Sequence, residues 1–126
     1  MASPVVHFEI IGPDPDVLRA YYAELFGWSA PAGAPVAAEI SDVDSYSFVE
    51  AAAAGGGIPG GIGGGPGHRA RAIFYIGVAN VEQALIDAAR LGGTRVLGPA
   101  VNEAVGIVVG HFVDPAGNLV GVAGPA

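Results

Sequence analysis

Two histidines stand where imidazole chemistry could operate. His7 lies in a short apolar run, residues 5–11, two positions before Glu9, and His111 lies three positions before Asp114. An imidazole titrates near neutrality, so His7 is a candidate polar anchor or general acid/base, with Glu9 as its neighbouring carboxylate. The plainer alternative is an imidazole that only satisfies hydrogen bonds to Glu9 or to backbone. Other reactive groups are missing. The 126 residues include no Cys, which removes thiolate nucleophiles, disulfides and Cys-ligated zinc. They include no Lys, which removes Schiff-base chemistry. No Ser sits on a strand-to-helix elbow, so a Ser–His–Asp arrangement is not available. The glycine-rich stretch 55–67 lacks the Lys of a phosphate loop and opens no helix; it reads as linker, with a lid as the functional alternative.

The elements that must position these residues can be read from spacing. Residues 5–11 predict a strand ended by Gly12-Pro13. Asp14 is an N-cap candidate, Pro15 suits the first helical position, and Leu18, Tyr21, Tyr22, Leu25 and Phe26 form one apolar stripe closed by Gly27. The plan returns 66 residues later. Residues 71–78 predict a strand, Asn80 and Gln83 resemble a capping box, and Val81, Ala84, Leu85, Ala88 and Leu91 form the stripe, closed by Gly92-Gly93. Strands are expected at 36–40, 45–51 and 61–64 in the first half, and at 94–97, 106–113 and 118–123 in the second. The expected organisation is one domain over 1–126: a βαβββ module at 4–64, a linker at 65–70, and a second βαβββ module at 71–124. The expected class is α+β, with both modules forming a curled mixed sheet around a U-shaped groove.

Alternation sorts the strand residues. Val6, Phe8 and Ile10, like Phe74, Ile76 and Val78, are expected beneath the helices. His7, Glu9 and Ile11, like Arg71, Ile73 and Tyr75, are expected on the groove face, where Tyr75 could stack on a ligand. Trp28 reads as a packing anchor, and His68-Arg69 as a solvated basic spot.

Composition bounds the partners. Hydrophobic residues make up 52% of the chain and charged ones 13%, enough apolar content for a packed core. The net charge of −7 argues against nucleic acid and against an anionic membrane surface. No apolar run reaches spanning length, and the start lacks a secretory signal, so a cytoplasmic protein is expected.

The runs HFEI, DPDVLRAYYAELFGW, IFYIGVANVEQAL, GGT and DPAGNLVGV together resemble the vicinal oxygen chelate superfamily, which includes glyoxalase I, extradiol dioxygenases and the fosfomycin- and bleomycin-resistance proteins. The resemblance covers about residues 5–123. It implies two βαβββ modules around a groove, commonly in a homodimer, and, in catalytic relatives, a divalent metal held by first and last strands of each module. Carried over, the ligand positions fall on His7, which matches, and on Ile73 and Gly121, which cannot bind a metal; the last strand of the first module offers only Gly and Ile. Three or four convergent donors are needed. No cofactor is therefore expected, with a non-standard divalent site built from His7, His111 and Glu9 or Glu50 as the alternative. The resemblance also makes the His111 position pocket-lining.

The expected function is thus metal-free binding of a small molecule in the bleomycin-resistance manner, with His7, Glu9, Ile73, Tyr75, His111 and Gly121 lining the site. The negative charge favours a neutral or cationic ligand. Two alternatives stand beside it. One is a glyoxalase-like lyase, isomerase or dioxygenase with an unusual metal set or with His7/Glu9 acid–base catalysis. The other is a dimeric interaction module whose groove is filled.

Overall fold

The computed structural model describes residues 2–51 and 56–126; the start of the glycine-rich stretch, Gly55, lies outside them. The element order is β1(Val5–Gly12), α1(Pro15–Phe26), β2(Ser47–Val49), β3(Gly60–Gly64), β4(Arg71–Gly77), α2(Val81–Arg90), β5(Thr94–Asn102), β6(Ile107–Val113) and β7(Leu119–Pro125). Contacts divide the chain into a unit spanning His7–Ala72 and a unit spanning Ile73–Ala126 together with the N-terminal residues up to Val6. Parallel and antiparallel pairs occur in both, so the class is α+β with mixed strands.

In the unit His7–Ala72, β3 lies between β1, its parallel neighbour, and β2, its antiparallel one. The helix forms where the cap and stripe predict it. The Asp14 carboxylate accepts from Val17 N at 3.3 Å, and Gly27 ends the helix at φ 73°, a left-handed conformation that glycine adopts without steric cost. Residues 36–40 are not a strand. Ile40 N donates to Ala37 O at 2.9 Å, closing a turn, and Ala37 and Ile40 are buried while 38 and 39 are exposed. A burial period of three cannot follow a pleated strand, whose side chains alternate. Among the described residues the first half therefore has three strands where four are expected. The helix stripe is also only partly covered: Tyr21, Leu25 and Phe26 are exposed. Trp28 packs as an anchor, with ring centroids 5.2 Å from Phe8 and 5.3 Å from Tyr22.

In the second unit the strands run β4-β7-β6-β5 and the order is βαβββ, as the spacing predicts. Asn80 Oδ1 accepts from Gln83 N at 3.0 Å. The reciprocal arm of the capping box is replaced, because the Gln83 side chain donates forward to Asp87 at 3.1 Å. Val81, Leu85 and Val122 form the core, flanked by Val78, Ala84, Val108 and Phe112. Each such aliphatic side chain stabilises the fold by about 1.5–3 kcal/mol relative to exposure. Gly110 lets the helix sit on the sheet, since a Cβ there would lie 2.7 Å from Leu85 Cδ1. Asp114 builds the β6–β7 turn by accepting from Ala116 N, Asn118 N and Asn118 Nδ2, each at 2.9 Å.

Burial in β4 departs from expectation. Phe74, expected beneath the helix, is 43% exposed, whereas Ile73 and Tyr75 on the opposite face are buried. In this strand the face that carries the candidate site residues is the better covered of the two.

Candidate functional site

The site is built on a strand with almost no side chains. β3 reads Gly-Gly-Ile-Gly-Gly, and every residue in it is buried. Something else must fill the space that its missing Cβ atoms leave. Phe8 lies over Gly60, and Tyr46 lies over Gly61 and Gly63. A Cβ at Gly61 would collide with the Tyr46 hydroxyl, and one at Gly63 would lie 2.6 Å from Tyr46 Cδ1.

The segment between α1 and β2 delivers Tyr46 to this place, and two polar anchors hold it. Arg19 on α1 donates to Ser45 O at 2.9 Å and to Ser47 Oγ at 3.3 Å, and pairs with Asp16. Ser41 Oγ accepts from Gly64 N at 2.9 Å, and Asp42 N donates to Gly64 O at 2.9 Å.

Tyr46 joins two residues singled out from the sequence. Its hydroxyl donates to Glu9 Oε2 at 2.8 Å and lies 3.0 Å from His7 Nε2. The hydroxyl has one proton. If that proton goes to Glu9, the oxygen accepts from His7, which places a proton on Nε2. Glu9 is 3% exposed, so this bond satisfies a carboxylate removed from water. Burial pushes the His7 pKa below its ordinary value. The Phe48 ring stacks near the imidazole at 6.3 Å between centroids.

The second unit repeats the theme with other residues. Gly121 on β7 faces Tyr75 on β4 and His111 on β6. The Tyr75 ring covers Gly121, where a Cβ would lie 2.5 Å from Cδ1, and its hydroxyl is 2.8 Å from His111 Nε2. Both residues are buried, as is Ile73 on the same face of β4.

The candidate residues thus fall into two clusters, each within one unit: His7 with Glu9, and Tyr75 with His111 and Gly121. Tyr46 falls in the strand expected at 45–51, and the sequence does not fix which way its side chain faces. A usable signal was present, because a strand without side chains requires a large one from elsewhere to cover it.

A chelated metal does not fit these residues. At Gly121 and Gly61 a ligand side chain is absent and its space is taken by a tyrosine. Ile73 has no donor atom. Among the described residues no three His, Cys, Asp or Glu side chains gather as a cation requires.

Comparison of the coordinates with solved structures places the fold. A Streptomyces coelicolor methylmalonyl-CoA epimerase variant in complex with 2-nitronate-propionyl-CoA matches with TM-score 0.66 and 14% identity, covering 100% of this chain and 99% of that one. The chain shares the fold of that epimerase, an α+β fold with mixed strands. A Mycobacterium tuberculosis methylmalonyl-CoA epimerase matches with TM-score 0.61 and 14% identity over 97% of this chain and 87% of that one. A Legionella pneumophila structure described as NAD-dependent benzaldehyde dehydrogenase matches with TM-score 0.61 and 11% identity over 95% and 98%. No family model matches the sequence, and no curated protein does. At these identities the likeness concerns the fold and leaves activity to the site.

Proposed function

We propose that this chain is a metal-free small-molecule binding protein on the vicinal oxygen chelate fold, with the His7–Tyr46–Glu9 cluster as polar anchor. The observation that carries the reading is the pair of tyrosines lying on Gly61 and Gly121. Donors are lost from these strands, and aromatic rings with hydrogen-bonded hydroxyls stand in their place. Such rings supply apolar area and a fixed polar handle for an organic ligand. The whole-chain charge of −7 favours neutral or cationic compounds, as in sequestration by bleomycin-resistance proteins. The test is a thermal-shift screen of neutral and cationic heteroaromatic compounds on untagged protein, with and without EDTA. A stabilising compound should act equally in both, and Tyr46→Phe should weaken its effect. Stoichiometric Zn, Ni, Mn or Fe retained by the purified protein would overturn the reading, and an empty screen would favour the filled interaction module.

Acid–base catalysis is the second reading. The Tyr46 hydroxyl supports it, because it connects His7 to Glu9 and lets a proton pass between them without diffusion. Turnover of a compound found in the screen, abolished by His7→Gln, would favour catalysis over sequestration.

A further inference from the structure

The five arginines of this acidic chain are placed very differently. Arg19 pairs with Asp16, Arg90 with Asp87 at 3.4 Å, and Arg95 with Glu82. Arg69 is exposed. Arg71 is half-buried at the start of β4, and among the described residues no carboxylate lies within ion-pair distance of it. Its Nη2 donates one long hydrogen bond, 3.4 Å, to Ile40 O. Its Nε is buried with no hydrogen-bond partner. A buried N–H on a charged group is costly when it lacks an acceptor, and structures rarely leave one so.

The surroundings of Ile40 are rigid. Ser41, fully buried, is bonded to Gly64 N at 2.9 Å, Asp42 N donates to Gly64 O at 2.9 Å, and the Asp42 carboxylate lies 3.2 Å from His68 Nε2. Gly64 and Gly65 have φ 126° and 143°, conformations that side-chain-bearing residues avoid; a Cβ on Gly65 would strike the Asp42 carboxylate, and one on Gly64 the backbone of Gly12. The carbonyl that positions the guanidinium is therefore itself fixed. A rigid, partly desolvated guanidinium whose buried Nε–H lacks an acceptor is preorganised for an oxyanion.

We infer that Arg71 is an anion-recognition site for a carboxylate, which would accept from Nε–H and the adjacent Nη at once. This goes beyond the reading above and uses none of the His7–Tyr46–Glu9 cluster, so either can fail alone. The net charge does not forbid it. Charges more than about 10 Å away are screened at ordinary ionic strength, whereas a contact with a desolvated guanidinium is not.

The test follows the arginine Nε–H resonances of 15N-labelled protein during titration with propionate, with inorganic phosphate and with chloride at matched ionic strength. Propionate should shift one protected Nε–H signal saturably, chloride should not, and Arg71→Gln should remove that signal. In thermal shift, propionate should raise the melting temperature of the native chain, with apparent affinity roughly tenfold or more weaker in Arg71→Gln and partly kept in Arg71→Lys. A stronger response to phosphate would overturn the carboxylate assignment in favour of phosphate esters. An Nε–H signal indifferent to both anions would overturn the site and assign the buried edge to ordered water.

Discussion

Placing a methyl group on Gly121 is the sharpest perturbation that the site offers. The residue adopts ordinary backbone angles, so Gly121→Ala carries no conformational penalty of the left-handed kind. Its cost is steric. The new Cβ would lie 2.5, 2.7 and 2.9 Å from Cδ1, Cε1 and Cγ of Tyr75, a ring that is 1% exposed and cannot swing into solvent. Overpacking of this kind costs about 1–3 kcal/mol. Moving the ring also stretches the 2.8 Å bond between the Tyr75 hydroxyl and His111, itself buried, which adds about 1–3 kcal/mol. The sum, about 2–6 kcal/mol, is a large part of the ~5–15 kcal/mol typical of a domain. Urea unfolding followed by Trp28 fluorescence would read it as a lowered midpoint at unchanged slope. Tyr75→Ala is itself destabilising, but it removes the obstacle. The double variant should therefore be more stable than the sum of the single losses predicts, by about 1–3 kcal/mol. A Gly121→Ala protein within about 0.5 kcal/mol of the parent, or strict additivity in the cycle, would refute the claim that the Tyr75 ring fills the space above Gly121.

Two pH effects follow from the shifted groups. Because burial lowers the pKa of His7, the unfolded chain binds this proton more readily than the folded one. The resulting contribution is fully present above the unfolded value, about 6.5, and is lost as pH falls from there toward the folded value, so His7→Gln should lose less stability between about pH 7.5 and 5.5 in urea titrations. Asp114 behaves at lower pH. Hydrogen bonds from the Asn118 side chain and backbone, and from Ala116 and Gly117, hold its carboxyl below the usual range. Its contribution is present above the unfolded pKa and lost as pH falls through the folded one. Asp114→Ala should lower the melting temperature at pH 7 and narrow the gap to the parent below about pH 4.

The order of elements was legible where local chemistry decides structure. Asp14, Asn80 and Gly27 mark helix ends because each satisfies a backbone group or a backbone angle that the helix leaves open. Residues 36–40 misled because Val36, Ala38 and Ile40 imitate strand alternation, whereas Ser41 and Gly64 pull the segment into a clamp that no local signal records. The site was half legible. His7 and Glu9 announce themselves by type. Their link through Tyr46 depends on a ring brought from 37 residues away in sequence onto a glycine strand, and sequence spacing alone does not encode such a contact. The faces of β4 were misjudged because aromatic Phe74 looks like core, yet burial here follows the tyrosine that fills the space above Gly121.

The run of glycines in β3 has a consequence for how the strand finds its place. Pleated neighbours normally index one another through a row of side chains, and a slip is punished at every second residue. Here Ile62, fully enclosed opposite Ile10, is the lone tooth on the rack. Alignment of this strand thus depends on one isoleucine and on the rings that neighbouring segments lay across a bare backbone. A lineage could exchange those rings and remodel the surface above the strand without rewriting the strand itself.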